Sequence, residues 1–501
     1  MDLKLNSRLL ALFALLSFSI TIQAQSLEED LDAIAEDYQL MGMSVLVVCG
    51  QNVHAHYHYG TKDYTRDLAI DDSTMYRIAS ISKAITSTGA MKLVDQGLLD
   101  LDAPVSNYLG YEFANPNHPN TVITTRMVMS HTSSLQDGDG YSPFLSDTYS
   151  LGANLPSMFE LVHPDGDYYT SNMWRTEEPG THFAYSNINM GVLATVMESV
   201  SGQRFDLLME ELIFEPLGLA CTYNTANIEN IDNLAVIYRN QGGWNPQVDN
   251  YQGVAPAQPD LGDYLPGTNG SRFAPQGGLR SSVYDLSQLM ILHMNNGFHP
   301  ASGQLISTEL MELMHTPVWT YDGSNGDNYY NLFNQWGLGI QQTTNTSMGD
   351  IVIPDMTFLG HPGEAYGLIS DWYFNKDEEF GLIFMTNGSW NGFSFGNTSA
   401  FYTLEEEVFD AVSGELGCAN SVTDLDQPQF KVYPNLSNAG ATVQIHTDVR
   451  IDTLALIDAK GSRILLEFSN NSFEIPFIRS GIYTLVATAD GRQLTQRLII
   501  E

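Results

Sequence analysis

Tyr76-Arg77-Ile78-Ala79-Ser80-Ile81-Ser82-Lys83 leads into residues 82–96, whose pattern is helical and stops at Gly97. A serine is a poor nucleophile until something accepts its proton. A lysine three residues later does so from the same helical face, because positions i and i+3 are neighbours there. Ser80 and Lys83 have this spacing at the start of the helix, where the helix dipole favours negative charge near the hydroxyl. Two residue types at one offset recur by chance in 501 residues, so the pair needs partners elsewhere in the chain.

Two further stretches supply them. Ala184-Tyr185-Ser186-Asn187 follows Glu178-Pro179-Gly180 and precedes a helical stretch at 189–201. A phenol shuttles protons beside an ammonium, and an amide holds both a lysine and a substrate carbonyl. Gly360-His361-Pro362-Gly363 stands just before two predicted strands, 367–374 and 379–387. There a strand edge with a small Gly lets a substrate lie against backbone amides that bind a developing oxyanion. Taken singly, Asn187 reads as a helix cap, Tyr185 as a packing residue and His361 as a surface or satisfied histidine.

In this order the three elements resemble the serine β-lactamase and penicillin-binding-protein family, in particular its class C-like branch of esterases, peptidases and lactamases. Residues 28–412 carry further matching context, including Gly97-Leu98-Leu99-Asp100, Ser130-His131-Thr132-Ser133, Pro216-Leu217-Gly218-Leu219 and Gly277-Gly278-Leu279. The resemblance implies an α/β fold in which an antiparallel sheet is flanked by helices, with a helical subdomain and the active site at their junction. It also implies a Ser80 acyl-enzyme, with Lys83 and Tyr185 as the base and acid pair. Asn187, His361 and Gly363 would bind substrate, Asn187 also orienting Lys83, and the amides of Ser80 and Glu364 would form the oxyanion hole. No cofactor is implied. Whether Lys83 or Tyr185 takes the first proton stays open. His361 stands where lactamases of this branch usually carry lysine, and a neutral imidazole attracts a carboxylate less than an ammonium does. An ester or peptide substrate is therefore expected before a β-lactam.

The chain divides into a signal peptide at 1–24, a hydrolase domain at 25–415, a linker at 416–429 and a strand-only tail at 430–501 read as a small antiparallel β-sandwich. Lys4 and Arg8, an apolar run and Ala24 give the export signal; a membrane anchor is disfavoured because the run is short for a span. In the tail, Val432-Tyr433-Pro434-Asn435, Ile457-Asp458-Ala459-Lys460-Gly461 and Ser480-Gly481-Ile482-Tyr483 resemble a type IX secretion sorting domain. That implies a secretion-machinery partner and a secreted or cell-surface location. With 59 acidic residues against 21 basic, a net charge of -38 excludes long-range attraction to nucleic acid or anionic lipid.

Two rival functions come from the residues themselves. His54, His56 and His58 alternate on one predicted strand, sharing a face that would suit a zinc-dependent hydrolase, but no downstream ligand set accompanies them. A non-catalytic, penicillin-binding-like protein is the other rival, and it has no need of Ser80, Lys83 and Tyr185 together. His131 is read as structure beside the site. The acidic stretches at 137–139 and 322–327 complete no calcium loop and read as solvated. Cys49, Cys221 and Cys418 permit at most one disulfide, and buried free thiols are the preferred reading.

Overall fold

A computed structural model describes residues 26–150, 152, 154–418 and most of 430–500. The expected signal peptide and linker residues 419–429 lie outside the described residues. Two compact units emerge, Met1–Ala419 and Asn420–Glu501.

The first unit opens with α1 (Leu27–Asp37), whose Ser26–Glu29 capping box is formed as the sequence predicts. A hairpin of β1 (Leu40–Cys49) and β2 (Asn52–Asp63) follows, then α2 (Ile81–Asp95), α3 (Asn187–Ser201) and α4 (Val283–Met294). The chain returns through β3 (Leu359–Ala365), β4 (Leu368–Asn375) and β5 (Phe380–Ser389), and closes with α5 (Thr403–Ser413). These strands form the middle of a nine-stranded sheet in the order β3-β4-β5-β1-β2, all antiparallel, with shorter strands at both edges.

Every residue of β1 is buried, because both faces of the sheet are covered. Leu46 and Val48 face a large core shared with α2, α3 and α4, while Val45 and Val47 face a second core under α1 and α5. The alternation of side chains along a strand thus splits one apolar run between two layers. Ser80 is the N-cap of α2, which follows a short ribbon separate from the main sheet and packs against both β3 and α3.

Two expectations are corrected. The Gly360–Gly363 stretch was read as preceding the strands, yet it lies inside β3. β3 pairs fully with β4, but its other neighbour, Gln341–Gln342, bonds only at Leu359 and Gly360. From His361 onward that edge is open, which is how Pro362, with no N–H to donate, fits within a strand. Cys49 and Cys418 form a disulfide with Cα atoms 5.9 Å apart, leaving Cys221 as the buried free thiol. A separation of 369 residues hides this pairing, because it arises only when the end of β1 meets the turn after α5.

The second unit is a two-sheet sandwich of four and five strands around Val443, Ile445, Leu454, Leu456, Leu485 and Leu498. It is not wholly antiparallel, since Leu436–Ser437 pairs in parallel with Arg492–Ile500. The Pro434-Asn435 and Asp458-to-Gly461 parts of the quoted tail motifs lie outside the described residues.

Candidate active site

The approach to Ser80 is built by a short ribbon, Tyr76–Arg77 paired with Arg280–Ser281. Ala79 then takes a positive φ of 46°, a costly conformation for a residue with a Cβ, and the chain turns sharply into α2 with Ser80 at its N-cap. The Ser80 side chain is partly exposed, whereas Lys83 one turn on is fully buried. Lys83 Nζ donates to Ser80 Oγ at 3.0 Å and to the Gln276 carbonyl at 2.8 Å. Burial pushes its pKa down to about 7, against a weaker opposing pull from Asp137. The Tyr185 phenol stands beside the Ser80 hydroxyl, and its ring centre lies 4.7 Å from Lys83 Nζ. Burial raises the phenol's pKa, so Tyr185 holds its proton. Ser80, Lys83 and Tyr185, separated by up to 105 positions in the chain, therefore meet at one point.

Asn187 lines the same cavity but does not orient Lys83. Its Nδ2 donates to Asp137 Oδ2 at 2.7 Å, and Asp137 also accepts from the Asn187 and Ile188 amides and the Ser186 hydroxyl. Asp137 thereby caps α3 from outside and fixes the Tyr185-Ser186-Asn187 turn. Sequence reasoning missed this role because the residue sits in a polar Asp-Gly-Asp-Gly run with no signal of its own. His131 is a second positioning group, as expected of structure beside the site. Its Nδ1 faces the Ser186 amide at 3.3 Å and Asn189 Nδ2 at 3.1 Å, both donors, so this nitrogen accepts. Burial holds its imidazole neutral.

The open edge of β3 forms the opposite wall. A Cβ at Gly363 would stand 2.3 Å from Ser370 Oγ and 2.8 Å from the Ile78 carbonyl, so only glycine lets the strand press against the residues leading to Ser80. The Ser80 amide has no acceptor among the described residues, and Glu364 follows Gly363 on the open edge. His361 is fully buried, and burial followed by the Lys83 charge pushes it down to about 3. Its Nδ1 donates to the Pro362 carbonyl at 2.6 Å, which leaves Nε2 as an unpartnered acceptor. Ser80, Tyr185, Asn187, His361, Gly363 and Glu364 all line one cavity of about 760 Å³. Aromatic side chains rim it, among them Tyr329, Tyr330 and Phe395, and the composition of the chain does not single these out.

The three histidines of β2 do not converge on one point. A register shift in the β1–β2 pairing places His54 between Val53 and Ala55, whose partners Val48 and Val47 are adjacent, so the even alternation assumed from sequence breaks there. His54 turns to Glu415 at 2.9 Å, while His56 and His58 approach Asp72 at 3.6 and 2.9 Å. Among the described residues the one cluster at metal-binding spacing is Cys49, His54 and Cys418, and its two sulfurs are bonded to each other.

A family model for beta-lactamase matches residues 25–400. The chain belongs to this family. It is thereby placed among the serine hydrolases of the β-lactamase and penicillin-binding-protein superfamily. A second model, for the secretion system C-terminal sorting domain, matches residues 431–501 and marks the protein as secreted or cell-surface. The chain is 26% identical over 406 residues to a beta-lactamase of Providencia stuartii, covering 80% of this chain and 88% of that one. It is 29% identical over 198 residues to the D-alanyl-D-alanine-carboxypeptidase/endopeptidase AmpH of Escherichia coli, covering 40% of this chain and 49% of that one. In fold it resembles the octameric penicillin-binding protein homologue of Pyrococcus abyssi, with a TM-score of 0.56 and 18% identity over 95% of this chain and 96% of the other. The D-alanine carboxypeptidase AmpC of Burkholderia cenocepacia gives 0.53 and 18% over 78% and 98%. No described helix is long and apolar enough to cross a membrane.

Proposed function

We propose that the protein is an exported hydrolase that passes the acyl group of an ester or amide first to Ser80 and then to water. The observation that carries this reading is the 3.0 Å contact between Ser80 Oγ and a fully buried Lys83. Near neutral pH a large share of Lys83 is an amine, able to take the hydroxyl proton as Oγ attacks the carbonyl. The amides of Ser80 and Glu364 receive the oxyanion. Tyr185, which retains its proton, gives it to the leaving group and is reprotonated from Lys83. In the second half water attacks the acyl-enzyme and the same groups run in reverse. Lys83 is thus the first base and Tyr185 the acid.

His361 supports an ester or peptide substrate ahead of a β-lactam. It is neutral, and its free nitrogen is an acceptor, so it suits a donor group rather than a carboxylate. The tail would carry the protein through a type IX secretion system. Fluorophosphonate labelling of wild-type protein, lost in Ser80→Ala, tests the acyl-enzyme. A wild-type protein that stays unlabelled and turns over no ester or amide would favour a binding role instead. Faster turnover of a chromogenic cephalosporin than of short acyl esters and D-amino-acid peptides would reverse the substrate order.

A further inference from the structure

In the first unit Lys62, Arg66, Lys92, Arg126, Arg175, Arg204 and Arg280 each hold a carboxylate, and Lys83, Arg272 and Lys376 donate to carbonyl or amide oxygens. Arg77 and Arg239 do neither. Both line the active-site cavity, and neither guanidinium makes an ion pair or hydrogen bond among the described residues. Arg77 Nε is buried without a partner. Asp249, the carboxylate whose charge acts on Arg77, is already held by Arg280 through two bonds of 2.6 and 3.2 Å. Arg77 therefore stands beside a second guanidinium that holds the carboxylate, has none of its own, and feels the repulsion of Arg280 more than the pull of Asp249. Its guanidinium carbon lies 5.0 Å over the ring of Tyr366, which holds the fork in place without neutralising it.

The position on β3 fixes which part of a substrate this charge meets. His361 and Tyr185 mark one end of the open edge, with ring centres 5.9 Å apart. Tyr366, in the turn just beyond the end of β3, marks the other, and the strand from His361 to Ala365 spans about 13 Å. The proton donor to the leaving group is at the Tyr185 end, so the group near Arg77 belongs to the acyl portion. Glu364 and Glu405 also line the cavity, but Glu364 is bound by the Tyr402 hydroxyl at 2.8 Å and Glu405 by the Tyr402 amide at 2.6 Å. Glu364 on β3 and Glu405 on α5 both turn their carboxylates to Tyr402 at the start of α5, so neither pairs with Arg77.

We infer that Arg77, assisted by Arg239, binds a carboxylate on the acyl portion of the substrate, so that the enzyme selects acids monoesterified or monoamidated at their far end. This rests on the acyl-transfer reading above. Charge-assisted bonds from a confined guanidinium discriminate between ligands by about tenfold or more.

The test compares three 4-nitrophenyl esters of nearly equal length: the hydrogen adipate, its methyl ester and the 6-aminohexanoate. In wild-type protein the kcat/KM ratio of the acid to the methyl ester is about ten or higher, and the amine is the poorest substrate. Arg77→Gln lowers the ratio by about tenfold, and Arg77→Lys recovers part of it. Arg239→Gln, at an exposed position, lowers it about threefold and serves if the buried substitution prevents folding. Arg126→Gln, which only breaks the pair with Asp102, leaves it unchanged. A wild-type ratio near or below one overturns the inference. So does a ratio unaltered in Arg239→Gln together with any Arg77 variant that still takes the fluorophosphonate label. Absence of label and of turnover for every ester in wild-type protein defeats the acyl-transfer reading instead.

Discussion

Lowering the pH below 7 switches off the base without touching the fold of the site. Lys83 is pushed from 10.5 to about 7 because it is fully buried and the nearest compensating charge, Asp137, only partly offsets the cost. A shift of this size corresponds to roughly 5 kcal/mol between the two protonation states at about 1.4 kcal/mol per unit. Its kinetic meaning is larger than that figure suggests. At neutral pH an unperturbed lysine is an amine in about one molecule in three thousand, whereas a lysine titrating near 7 is an amine in about half. The expected kcat/KM profile rises tenfold per unit up to about pH 7 and then levels. Lys83→Arg, always charged, lowers kcat/KM by about a thousandfold or more, and higher pH does not rescue it. Stopped-flow or steady-state hydrolysis of a 4-nitrophenyl ester between pH 5 and 9, using the neutral acetate, measures both. A profile flat across that range, or one rising only above pH 9, would refute the assignment of Lys83 as the first base. His361 and His131 contribute no limb of their own, because burial keeps both neutral throughout.

Two further outcomes follow from groups outside the reacting trio. Asp371 on β4 and Glu405 on α5 are both buried; burial raises both pKa values, Glu405 to about 8, and the neighbouring Glu405 raises Asp371 further, so the pair holds a proton that the unfolded chain releases near 4.5. The folded state then binds more protons across that window, and stability falls as pH climbs from about 4.5 to 8, by up to about 1.4 kcal/mol per unit. Glu405→Gln, whose amide donates to Asp371, flattens this slope in urea unfolding run at pH 5, 6.5 and 8; identical slopes would show that the pair does not share a proton. Replacing Cys49 and Cys418 by serine lowers stability by about 2–5 kcal/mol, and dithiothreitol brings wild-type protein down to the same level. An unfolding midpoint unmoved by either treatment would count against the bridge.

Much of the site was legible because its groups are tied to local signals. Ser80 and Lys83 share a helix turn, and Gly363 is the one residue the packing against Ile78 and Ala79 allows. Tyr185 was singled out through the resemblance rather than its spacing, since nothing local distinguishes a phenol that meets Ser80 and Lys83 from a packing one. What stayed hidden depends on contacts between distant segments. Asp137 caps a helix 50 positions away, Cys49 bonds a residue 369 positions away, and Asp371 meets Glu405 only after β4 and α5 pack. The β-bulge at His54 was equally silent, because a single extra residue in a strand leaves the sequence pattern almost intact while turning one side chain away from its neighbours.

The same logic explains why Arg77 went unread although it lies three residues before Ser80. In sequence an arginine is one of 21 cations among 59 acids, and the default is a solvated ion pair. Only the fold reveals that the neighbouring carboxylate, Asp249, is taken by Arg280, and that the open space beside Arg77 belongs to the cavity lined by Ser80. An uncompensated guanidinium beside a satisfied one carries an electrostatic cost that the protein alone does not recover. A bound anion recovers it, and only where the cavity excludes water. On the inference above, the cation beside Ser80 has its physical rationale in the substrate, while the paired cations elsewhere have theirs in the fold.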